Sequence, residues 1–357
     1  MRRALKIFAL LLPALALGGA TAWAAPVKVV TTLPAYASIA KFVGGDRVQA
    51  QSISRGDEDA HFVKPKPSYA LMLRDADLFV TTGLDLELWA PVLVDKSGNR
   101  KIRDGQPGYV NASQGVPLVD VPANPSREAG DIHIYGNPHI HTSPLNAKII
   151  ARNIANGLKR VDPQGAATYN QRLAEFQKRI DNALYGDQLP QILGAETLDN
   201  LARQGKLIPF LRSKDYKGKK LVEYLGGWMG KGLAFRGREV VTYHQNWSYF
   251  TRLFGLDVAG DVEPKPGIPP SARHVHDLVQ KMKQDDVKVV LAPSYYPPGQ
   301  AQAIAQRTGA EAVIVPLGPA NTQADAYFGL IDLWVNKLAQ AYPHPLTPSP
   351  GGRGGKP

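Results

Sequence analysis

Eight histidines and no cysteine bound the metal chemistry open to this 357-residue chain. Without thiolates there is no disulfide, iron–sulfur cluster, cysteine nucleophile or lipid-bearing N-terminal cysteine, and imidazole is the soft ligand that remains. His61 follows a strand-like segment. His139 and His141 sit in Asn-Pro-His-Ile-His, immediately before a helical stretch, and His244 ends the strand-like Val-Val-Thr-Tyr-His. Open α/β sheets bind ligands beyond the carboxyl ends of their strands. His61 and His244, from different halves of the chain, can therefore face one crevice, with His139 joining from the connection between them. Three neutral imidazoles suit Zn²⁺ and other late first-row metals. The competing reading is three isolated histidines bonded locally, because no short-range zinc motif links them.

The other histidines read differently. His133 lies in an aperiodic stretch and reads as a surface residue. If the chain is extended at 139–141, His139 and His141 face the same way. His274 and His276 are two apart on a helix, share no face and read as surface. His344 belongs to the tail. No Walker loop, dinucleotide-binding Gly-x-Gly-x-x-Gly or Gly-x-Ser-x-Gly elbow is present. Gly226, Gly227 and Gly230 read as a loop, not a phosphate cradle.

Strand-like and helical segments must position these residues. Val27–Thr32, Val48–Ile53 and Ala76–Thr82 read as strands, with helices opening at Pro34, at Pro67 and near Leu86. Such alternation implies a mostly parallel α/β sheet. Residues 113–138 read as a loop, rich in Pro and Gly. A helix from about Asn146 follows. Asp162-Pro163 supplies an N-cap and N1 proline for a second helix carrying Leu173, Phe176, Ile180 and Leu184 on one face. The alternation resumes with strands at Val240–His244, Val287–Ala292 and Ala312–Leu317. Helices are expected at Tyr249–Phe254, Ser271–Met282, Gln300–Thr308 and Tyr327–Ala341, and a Pro/Gly loop at 257–270.

The length suggests two domains, and the 44% hydrophobic residues a real core. Net charge is +11, but three cations lie in the first six residues and two in the last five. No basic stripe interleaved with aromatics points to nucleic acid. Residues 1–24 read as a cleaved signal peptide: Arg2 and Arg3, an apolar run from Ile7 to Leu17, then Ala22-Trp23-Ala24. With no later membrane span and no lipid-bearing cysteine, the expected location is the periplasm.

Several segments together are similar to one family. They are Val29-Val30-Thr31-Thr32-Leu33-Pro34; Asp59-Ala60-His61-Phe62 with Pro65 and Pro67; Gly83 through Glu87 and Trp89; Asn137-Pro138-His139-Ile140-His141 with Pro144, Asn146 and Ala147; and Tyr243-His244 with Tyr249-Phe250. Over roughly residues 26–185 and 239–341 the chain resembles the periplasmic metal receptors of zinc/manganese ABC importers. The resemblance implies two (β/α) lobes with mostly parallel sheets, joined by one long linker helix, and a metal in the cleft. It gives lobes at 25–161 and 186–342, the linker at 162–185 and an insertion at about 186–238; the Pro/Gly-rich residues 343–357 read as a disordered tail by composition. It implies His61, His139 and His244 as ligands, Zn²⁺ (or Mn²⁺) as cargo, a membrane permease as partner, a monomer and no catalytic cofactor.

The chain departs from that family where the fourth ligand is expected: Val315, before Pro316-Leu317-Gly318, cannot coordinate, and the aromatic after the second ligand is His141. Glu263, in a proline-rich loop, is the expected replacement, with His141 or water as alternatives. Three histidines plus water is also a catalytic zinc design, so a periplasmic zinc hydrolase is the rival function. A receptor for a metal chelate or other small solute is a third.

Overall fold

The computed structural model describes residues 25–123, 133–265 and 267–342. The expected signal peptide, the tail and His344 lie outside the described residues. Two four-stranded sheets organise the chain, each wholly parallel. The first holds β1 (Val27–Thr31), β2 (Val48–Ser52), β3 (Leu78–Thr81) and β4 (Tyr109–Asn111) in the order β2-β1-β3-β4. The third and smallest sheet is a hairpin of β5 (Asp215–Tyr216) and β6 (Lys219–Lys220). The other large sheet holds β7 (Glu239–Thr242), β8 (Asp257–Asp261), β9 (Val289–Pro293) and β10 (Glu311–Val315) in the order β10-β9-β7-β8. The inner strands β3 and β9 are buried at every position. Helices cover both faces of a parallel sheet, so such strands read as unbroken apolar runs.

Helices α1 (Pro34–Gly44), α2 (Pro67–Arg74) and α3 (Ala90–Ser97) connect the first sheet, each with proline in its first turn. There the missing N–H costs no helical hydrogen bond. Two longer helices follow, α4 (Pro144–Val161) and α5 (Ala166–Tyr185). At 1.5 Å per residue, the 20 residues of α5 reach about 30 Å. Asp162 does not cap it as expected. Its carboxylate takes the Arg47 guanidinium at 2.8 Å and the Tyr169 hydroxyl, tying α1's end to α5. Phe176, Ile180 and Leu184 bury the face that the spacing predicts.

Residues 186–238 are mostly helical: α6 (Leu189–Leu193), α7 (Ala195–Arg203), α8 (Leu207–Ser213) and α9 (Gly227–Gly232). The glycine stretch expected as loop thus contains a short helix. A Cβ on Gly227, at φ +58°, would lie 2.2 Å from the Ala183 carbonyl oxygen, so the chain crosses α5 where no side chain fits. A part-buried polar cluster fastens this region. Lys148 Nζ on α4 donates to Asp181 on α5 and Asp199 on α7, both at 2.6 Å, and Tyr185 donates to Asp199 at 2.9 Å.

The remaining helices are α10 (Ser248–Phe254), α11 (Ala272–Gln284), α12 (Pro298–Thr308) and α13 (Ala326–Ala341). Ser271 caps α11 as expected, accepting from His274 N. The loop expected at 257–270 is corrected at its start. Residues 257–261, with two Asp and a Gly, form β8 at the sheet edge, where pairing to β7 overrides poor strand propensity. One buried cluster joins Val29, Ile39 and Phe42 of the first half to Leu291, Val315 and Trp334 of the second. Among the described residues no helix is long and apolar enough to cross a membrane.

Candidate metal centre

His61 is set by a local turn after β2. Asp59 caps the 3₁₀ turn Ala60–Phe62, its Oδ1 accepting from His61 N at 3.0 Å and lying 2.8 Å from His61 Nδ1. Trp89 Nε1 pins the same turn by donating to the Ala60 carbonyl at 2.8 Å. His139 is held through Asn137. The Asn137 Oδ1 accepts from His139 N at 3.0 Å, and its Nδ2 donates to the Gln245 carbonyl at 2.8 Å and Ser248 Oγ at 3.1 Å. Tyr249 donates to the Asn137 carbonyl at 2.7 Å. These bonds fasten the 137–139 segment to the connection after β7, two residues beyond whose end stands His244.

The structure brings His61, His139 and His244 together with His133. Each offers one ring nitrogen within 4.8 Å of the others. His61 Nε2 and His133 Nε2 lie 3.2 Å apart. His139 and His244 are almost fully buried, yet His139 Nδ1 and both ring nitrogens of His244 have no hydrogen-bond partner. Native interiors rarely leave buried polar atoms unpaired. Here the unpaired atoms belong to rings that converge.

The electrostatics match. Burial, then the neighbouring His61 and His244, push His133 down to about 2. Burial, then the neighbouring His61, His133, His244 and His141 rings, hold His139 well below the usual imidazole range. Both rings are neutral near pH 7, the state a metal requires. Burial would raise Asp59, but its hydrogen bond to His61 and the attraction of that ring bring it below the ordinary carboxylate value.

Two expectations need correction. His133 is not a surface residue. Gly136 N bonds back to the His133 carbonyl at 2.9 Å, and this turn, with Gly136 at φ +105°, returns His133 to the cleft. The Gly-Asn-Pro marker between His133 and His139 was the available sequence signal. His141 does not share His139's direction, because 140–142 form a 3₁₀ turn rather than an extended strand. Its ring is buried beside Tyr36, bonded to the Leu317 backbone, and lowered to about 4, chiefly by burial. Glu263 is buried near the site but outside the four-histidine group. It accepts from Tyr296 OH at 2.9 Å, and its Oε2 lies 3.1 Å from His244 Nδ1. Val315 is buried within β10. His276 is exposed as expected, whereas His274 Nε2 bonds the Asp261 carbonyl at 2.9 Å.

Two parallel-sheet lobes with a histidine cluster between them, two of its rings buried and two part-buried, define a metal-binding receptor of the ABC-importer type. The chain belongs to the ZnuA family, zinc-uptake complex component A, periplasmic, whose model matches residues 29–184 and 216–341. The unmatched stretch between contains α6, α7 and α8. This is a family of transport receptors, not of enzymes. The chain is 25% identical over 323 residues to the iron-binding protein YfeA of Yersinia pestis, covering 88% of this chain and 86% of that one. It is 22% identical over 325 residues to the manganese ABC transporter substrate-binding lipoprotein PsaA of Streptococcus mitis, covering 88% of each. The crystal structure of ZnuA superposes with a TM-score of 0.63 at 21% identity, covering 89% of this chain and 99% of that one.

Proposed function

We propose that this protein is a periplasmic receptor that takes up one Zn²⁺ between its lobes through His61, His139 and His244, with His133 in the fourth position, and delivers it to the membrane permease of an ABC importer. It is exported by the leader at residues 1–24, cleaved, unlipidated and monomeric. The observation that carries the reading is the convergence of four imidazoles within 4.8 Å, buried ones among them lacking hydrogen bonds. Relatives are named for iron and for manganese. A shell of imidazole nitrogens without carboxylate oxygen favours Zn²⁺ over the harder Mn²⁺. With His133 in place, the open water position that a zinc hydrolase needs is filled.

The test is elemental analysis of protein purified without added metal, followed by titration of the metal-free form with Zn²⁺ and Mn²⁺. One equivalent of tightly bound zinc, with Mn²⁺ far weaker, is the expected result. No bound metal and no titration would remove the reading; preference for Mn²⁺ would remove the choice of cargo.

A further inference from the structure

Four neutral imidazoles bring no negative charge to a dication, and an uncompensated charge in a buried site is costly. Two carboxylates stand directly behind the rings, one on each side of the cleft, Asp59 part-buried and Glu263 buried. Asp59 Oδ1 meets His61 Nδ1 at 2.8 Å. Glu263 Oε2 lies 3.1 Å from His244 Nδ1, close enough for a hydrogen bond but not yet aligned for one. Other acids near these rings are bonded elsewhere. Glu87 Oε1 accepts from Thr32 and Thr82, and Asp261 accepts from Thr242 Oγ1.

We infer that Asp59 and Glu263 are paired positioning residues that hold His61 and His244 by their Nδ1 atoms and supply the negative charge that the imidazole shell lacks. This rests on the four-histidine reading above. A carboxylate on one ring nitrogen fixes the tautomer, orients the ring and makes the other nitrogen a better donor. Asp59 is committed to this task twice over, since the same oxygen accepts from His61 N. Glu263 is fixed in its place. Its N–H donates to the Tyr243 carbonyl at 2.8 Å, and Tyr296 OH donates to Oε2 at 2.9 Å. Tyr296 stacks on Tyr243 at 4.0 Å between ring centroids, and Tyr243 OH is held by Gln300 at 2.9 Å. A carboxylate gripped in this way, one atom behind the imidazole, balances the ion without entering its shell. The site then keeps nitrogen selectivity and gains the charge of two oxygens-bearing acids.

The experiment compares wild type with Glu263→Gln, Asp59→Asn and Tyr296→Phe. Zn²⁺ affinity is measured by competition with a chelator, and the bound shell by the visible spectrum of the Co²⁺ form. Glu263→Gln and Asp59→Asn should each weaken Zn²⁺ by roughly 10–100-fold, with Tyr296→Phe weaker by less. All three should keep the wild-type Co²⁺ band positions and one-site stoichiometry. Thermal unfolding of the metal-free variants controls for folding, and Asp59→Asn and Tyr296→Phe still report if Glu263→Gln does not fold. A shifted Co²⁺ spectrum in Glu263→Gln would make Glu263 a ligand and overturn the inference. Wild-type affinity in all three variants would overturn it as well. If wild type itself binds no Zn²⁺, the receptor reading falls and takes this inference with it.

Discussion

Two clusters of largely buried polar side chains, both lying between chain segments distant in sequence, differ in one respect. Around Lys148 every charge has its partner: two carboxylates at 2.6 Å and a tyrosine hydroxyl closing the set. Around His139 and His244 ring nitrogens are buried without partners. The first cluster is complete as folded and acts as a fastening between α4, α5 and α7. The second is complete only with something added. Burial and polarity alone do not distinguish a site from a structural joint; the state of its hydrogen bonds does.

This contrast is open to direct attack. The largest effect should come from His61→Ala, His139→Ala and His244→Ala, each lowering Zn²⁺ affinity by orders of magnitude in titration while the metal-free fold persists. Three unchanged affinities would erase the difference between the clusters. Next, Lys148→Met strips the cation from between Asp181 and Asp199. Two part-buried carboxylates left without their cation should lower stability by about 1–3 kcal/mol in denaturant unfolding, with Zn²⁺ affinity untouched.

Acid should act on the histidine side. His141 is lowered to about 4 by burial and His133 to about 2, whereas unfolded imidazoles titrate near ~6.5. Below that pH the unfolded state binds the extra protons, so the metal-free protein loses stability as pH falls from ~6.5 toward about 4. For His141, 3% exposed, the loss is on the order of 3 kcal/mol. Denaturation midpoints of wild type and His141→Gln at pH 7.5 and 5 should diverge in this sense, the variant being less sensitive. The smallest effect belongs to an exposed pair: Arg55→Ala, breaking the contact with Asp57 at 3.0 Å, should leave the unfolding midpoint where it was, because solvent screens such pairs.

Much of the architecture was readable from residue patterns. Buried parallel strands announce themselves as runs such as Leu78–Thr81 and Val289–Pro293, and prolines at 34, 67 and 144 mark helix starts. Strand β8 was hidden because its Asp and Gly residues are tolerated only at an edge, and β4 because three residues carry no periodicity. At the site, His61, His139 and His244 were legible by their place at strand ends and a helix start. His133 was not, since its direction depends on a turn three residues later. His141 and Glu263 were close in space but aimed by a 3₁₀ turn and by Tyr296, features that no spacing rule conveys.

The closing helix has a consequence for the order in which the protein can be built. Ser38, on α1, donates to the Gln323 carbonyl at 2.7 Å and accepts from Tyr327 N at 3.0 Å. Nearby, Phe42 packs with Phe328 at 6.0 Å between ring centroids, and Arg179 lies over the Phe328 ring. The first sheet therefore borrows part of its wall from the end of the chain. This amino-terminal half has no finished surface until a segment nearly 290 residues beyond Ser38 has packed against it. A chain ending before α13 would keep the Phe42 contact with Phe176 but lose those that Phe328 and the Tyr327 N–H make with α1.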